Sequence, residues 1–147
     1  MQNETSDLLS DELIHPTIDR KTLIPTWIKI FSWIFLAFGV LALIAVAVGL
    51  LGYQFAMALY GFETSDPIST VGLIITLLFL LKGMVAFGIL TKKDWAVNLA
   101  IADALIGIGI CIYSIIVVTA VVRLELLALI PYFYKMWKIR SNWQIGK

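Results

Sequence analysis

Lys82 and Asp103 are the residues in this chain whose types and placement invite chemistry, because each interrupts a long apolar run. They flank the short polar stretch Thr91–Trp95. Each lies about ten positions from its centre, so at a rise of about 1.5 Å per residue both sit roughly 15 Å along their helices. In a hydrocarbon core about 30 Å thick, that depth is near the midplane. An unpaired charge there costs at least about 2.5–3.5 kcal/mol on insertion scales, so such residues pair or face a cavity. A cation and an anion at matched depth on antiparallel neighbours are expected to form an ion pair. Two roles fit it. One is a proton- or ion-coupling site, where pairing alternates with release. The other is a static pair that fixes helix register. Helical spacing places Ala96, Ala100, Gly107, Cys111 and Ser114 on the Asp103 face, which is small and suited to close approach by another helix. The Lys82 face carries Ile75, Phe79, Ala86 and Ile89 and is apolar.

Arg123 and Glu125 are the secondary ionisable candidates. Two positions apart on a helix, they point to different faces. Arg123 is expected at the outer interface. Glu125, deeper along the helix, shares a face with Ala128, Leu129 and Tyr132. It is either a second ionisable gate or an interfacial charge that ends a span, and it competes with Asp103 as a partner for Lys82. Asn98 and Gln54 suit interhelical hydrogen bonds. His15 stands alone, with no neighbouring ligands for a metal. Cys111 is the sole cysteine, so no disulfide or thiol pair is available. No catalytic motif, phosphate loop or dinucleotide fingerprint occurs. The expectation is no enzyme, no cofactor and no metal.

The elements that must position these residues follow from the apolar blocks. The chain has 147 residues, of which 61% are hydrophobic, with mean hydropathy +0.94. That exceeds the roughly half-apolar usage of soluble domains. The fold expected is an all-α integral membrane protein, a four-transmembrane-helix bundle with short loops. Residues 1–26 read as a polar cytoplasmic tail in which Ser6–Ile14 is a candidate short helix. Its acidic start and late apolar run do not read as a cleavable signal peptide. Residues 27–138 form the membrane domain, with spans at about 27–54, 68–90, 95–118 and 120–137, each long enough for the roughly 20 residues a crossing needs. Pro25 suits the start of the first span, and Ala45 with Gly49 offers it a small helix-packing surface. Gly61–Pro67 reads as a short loop and Thr119–Arg123 as the outer turn. Pro131 falls inside the fourth span and removes the hydrogen bond to the Leu127 carbonyl. Residues 139–147 read as a basic cytoplasmic tail.

Orientation comes from the cations. Arg20, Lys21, Lys29, Lys92, Lys93, Lys135, Lys138, Arg140 and Lys147 share one side of a four-span arrangement, and Arg123 takes the other. The positive-inside rule makes the first side cytoplasmic, with both termini inside a cell (inner) membrane. Trp27, Trp33, Trp95, Trp137 and Trp143 gather near the inner interface, and Tyr53 and Tyr60 are expected at the outer one. The net charge of +1, with no basic face outside the membrane flanks, argues against nucleic acid. Expected partners are the lipid bilayer and a further copy or another membrane protein. The sequence thus points to a small multi-pass membrane protein without catalytic machinery that acts by helix packing. The alternative is a small oligomeric transporter or channel using Lys82, Asp103 and Glu125.

Overall fold

The structure is a computed structural model and describes residues 20–117 and 124–145. It is helical apart from one small hairpin. A single turn, α1 (Arg20–Leu23), leads into α2 (Thr26–Leu50). A two-stranded hairpin follows, β1 (Met57–Leu59) and β2 (Phe62–Thr64). Then come α3 (Thr70–Leu90), α4 (Ala96–Val117) and α5 (Leu124–Ile145). Three of these helices, α2, α3 and α4, are long and apolar enough to cross a membrane. Helix α5 has 22 residues but carries Glu125, Lys135, Lys138 and Arg140.

Local chemistry sets the helix ends. Pro25 is the N-cap of α2, with extended ψ and φ −65°, the φ its ring fixes. Ser69 caps α3 by accepting from the Gly72 amide at 3.1 Å. Thr91 ends α3, where the Lys92 amide donates to Ile89 and the Lys93 amide to Gly88. That paired 5→2 and 6→1 pattern is a Schellman motif. Helix α2 stops at Leu50 rather than near Gln54, because the chain turns at Gly52 (φ +84°).

The connection expected as a loop at Gly61–Pro67 is instead half of the hairpin. β1 and β2 pair antiparallel with Met57 opposite Thr64 and Leu59 opposite Phe62. Tyr60 and Gly61 form its tip, with φ of 54° and 92°. Two positive φ values in a two-residue connection match the right-handed twist of the strands. The hairpin folds back into the helices: Met57 packs with Ala42, Ala45 and Ile75, and Tyr60 with Leu78, Cys111 and Leu129.

Helix α2 packs most closely on α3 and α4 on α5, while α3 against α4 joins the two pairs. The backbones of α2 and α3 come together at Gly39 and Gly83; a Cβ on Gly39 would lie 3.3 Å from the Gly83 Cα. The largest buried cluster lies toward the opposite end from the hairpin, and unites Ile28, Ile89, Val97, Met136 and Trp143. Helix α5 therefore continues through the segment expected as a basic tail, and Trp143 within it is wholly buried. The apolar cluster extends that far because Met136, Ile139 and Trp143 recur at helical spacing on one face. The expected helix at Ser6–Ile14 and outer turn at Thr119–Arg123 lie outside the described residues.

Candidate functional site: a buried ion pair beneath a hairpin tip

Lys82 on α3 and Asp103 on α4 meet: Nζ donates to Oδ2 at 2.9 Å. Both side chains are buried, at 3% and 4% exposure. The α3–α4 hairpin creates this contact by bringing positions 82 and 103 alongside one another across the turn at Thr91–Trp95. The small face expected around Asp103 is also buried, since Ala96, Ala100, Gly107 and Cys111 all lie inside.

Two aromatic rings also face the ammonium. Nζ lies 5.2 Å from the Phe35 ring centre on α2 and 5.0 Å from that of Tyr60 at the hairpin tip. Ring faces attract a cation, and more so when water is excluded. Tyr60 was expected at the outer interface; it is 2% exposed and sits over the pair. Its hydroxyl occupies the notch left by Gly107, where a Cβ would stand 2.6 Å from the oxygen. That hydroxyl has no hydrogen-bond partner among the described residues.

Glu125 does not reach Lys82 as a partner. It lies in the first turn of α5, half-buried, and lines a cavity of about 120 Å³ with Phe35, Tyr60, Leu129 and Tyr132. Lys82 and Asp103 are not among the residues lining that cavity. Arg123 lies outside the described residues. Of the small residues expected to pack helices, Ala45 is fully buried in the cluster that holds Met57 and Ile75. Gly49 faces Pro67 and Ile68 of the connecting segment rather than another long helix. The intimate helix crossing falls to Gly39 and Gly83, which the sequence reading did not pair.

A second polar cluster ties the opposite end. Arg20 donates from Nε to the Trp143 carbonyl at 2.9 Å and from a terminal nitrogen to the Lys92 carbonyl at 2.7 Å. It also pairs with the Asp94 carboxylate and stacks 5.4 Å over the Trp143 ring. Trp143 Nε1 donates to the Lys93 carbonyl at 2.9 Å. Nothing in the sequence singles out Arg20 from the chain's other cations, because its partners are mostly backbone oxygens.

Among the described residues, no three His, Cys, Asp or Glu side chains come close enough to hold a metal. The chemistry open to the central site is charge compensation, or proton exchange along the 2.9 Å contact. Comparison with models of known protein families, with curated proteins and with solved structures found no match.

Proposed function

We propose that this is a four-span membrane protein, both termini cytoplasmic, that acts by lateral packing with copies of itself or with another membrane protein. In this reading Lys82–Asp103 is an internal lock rather than a coupling site. One observation carries it: both side chains of the pair are almost fully buried, and the ammonium also meets the rings of Phe35 and Tyr60. A coupling site needs a path along which its charges are released. Helix α5 serves as the fourth span, with its cations at the inner end beside the Arg20 cluster. Exposed aliphatic and aromatic side chains cover the outer faces of α2, α3 and α4, as a lipid-facing surface or a helix partner requires.

A second reading, an oligomeric transporter or channel, is favoured by the hairpin. Lys82 lies roughly 18 Å along α3 from Thr70, and Tyr60 reaches it. Non-helical backbone at such depth is tolerated where it is buried in protein or lines a water-filled cavity. Two measurements decide. With Cys111 replaced by serine, an impermeant thiol reagent applied outside intact cells should label Ser65→Cys and leave Asn142→Cys unlabelled. Labelling of Asn142→Cys removes the topology. Reconstituted vesicles should carry no proton or ion flux above protein-free controls. A flux that Asp103→Asn abolishes would replace the packing role with the transport one.

A further inference from the structure

We infer that the cleft between the start of α2 and the end of α3 binds an anionic phospholipid, its phosphodiester held between the ammonium groups of Lys29 and Lys92. The cleft has a volume of about 150 Å³ and is lined by Ile24, Lys29, Ile89, Leu90 and Lys92. A lining of two cations and three aliphatic side chains matches what a phospholipid presents, an anionic head joined to an acyl chain. Basic pockets between membrane helices recognise such head groups in this way. Lys29 and Lys92 are both half-buried and neither is without other contacts; the phosphate joins an existing polar surface.

The backbone at Lys92 gives independent support. Lys92 is the left-handed residue of the Schellman motif that ends α3, with φ 57°. Glycine is the default there, because a Cβ in this conformation is strained. A lysine thus stands where the backbone disfavours it, and such an outlier points to a role for the side chain. The negative end of the α3 dipole also favours a cation at this position, so the test must separate the two explanations. The inference rests on membrane insertion as proposed above, but not on the orientation.

The test uses the full chain, purified in a zwitterionic detergent. Melting temperature is followed with phosphatidylglycerol, with phosphatidylcholine and with inorganic phosphate. Phosphatidylglycerol should raise the wild-type midpoint over phosphatidylcholine by on the order of 5 °C, and inorganic phosphate should not. Lys29→Gln and Lys92→Gly should each lose most of that increment, and Lys92→Arg should keep it. Without lipid, Lys92→Gly should melt no lower than wild type, because glycine suits the turn; a purely structural lysine has no reason to lose the lipid response alone. An undiminished increment in the Lys29→Gln/Lys92→Gly double variant overturns the site. An equal increment from inorganic phosphate overturns the lipid as ligand. Recovery of the chain from cells outside the membrane fraction would instead overturn the insertion on which the site depends.

Discussion

At Lys82 the position of one ammonium is over-determined, by a carboxylate at 2.9 Å and by two ring faces. Tyr60 contributes one of those faces and also buries a hydroxyl with no partner. Such a group costs about 1–3 kcal/mol, whereas the ring contributes packing and cation attraction. Tyr60→Phe should therefore raise the midpoint of thermal unfolding in detergent, while Tyr60→Ala should lower stability by about 3–5 kcal/mol. A Tyr60→Phe protein that melts well below wild type would show that the hydroxyl has a native partner. The sequence made the Lys82–Asp103 contact legible, since equal spacing about a turn fixes equal depth. Tyr60 was not legible. It follows the first span in a connecting segment, and depth counted along helices says nothing about a hairpin that folds back.

The elements show the same division. Continuous apolar runs located α2, α3 and α4 to within a few residues, because a membrane crossing needs a length that few other structures need. Their ends depended on local chemistry. Ser69 and Pro25 are recognisable caps, but a left-handed Lys92 and a Tyr60-Gly61 turn depart from the usual Gly or Asn-Gly signals. The α2–α3 crossing was missed because Gly39 and Gly83 are single glycines on separate helices, and no pattern within one helix pairs them. Their close approach separates two otherwise similar substitutions. Gly39→Ala places a methyl 3.3 Å from backbone that cannot rotate away, whereas nothing lies within 4 Å of a Cβ on Gly109. Gly109→Ala should stabilise by about 0.5–1 kcal/mol through helix propensity. Gly39→Ala should instead lose stability, by roughly 1–3 kcal/mol if the helices must part. Denaturant titration of the two purified variants checks the contrast, and equal effects would refute the tight crossing.

For the whole molecule, the α2–α3 and α4–α5 pairs are joined along α3 and α4, and the Lys82–Asp103 contact lies on that seam. Phe35 brings α2 to the pair and Tyr60 brings the hairpin. At the far end, Arg20 gathers the start of the described chain, the α3–α4 turn and α5. Its bond to Asp94 adds little, because that carboxylate is 84% exposed and an exposed pair is worth about 0–1 kcal/mol. The bonds to backbone oxygens and the Trp143 ring hold that end. In the reading proposed above, the buried pair locks the two halves together. A double-mutant cycle on thermal or denaturant stability tests it most directly, with Lys82→Met, Asp103→Leu and the combined variant. Removing one partner strands a buried charge and should cost about 3–5 kcal/mol in each single variant. Removing both should restore most of that loss, since an apolar pair of similar volume replaces a buried ion pair with little penalty. Single variants as stable as wild type, or a combined loss equal to the sum of the two, would contradict the lock.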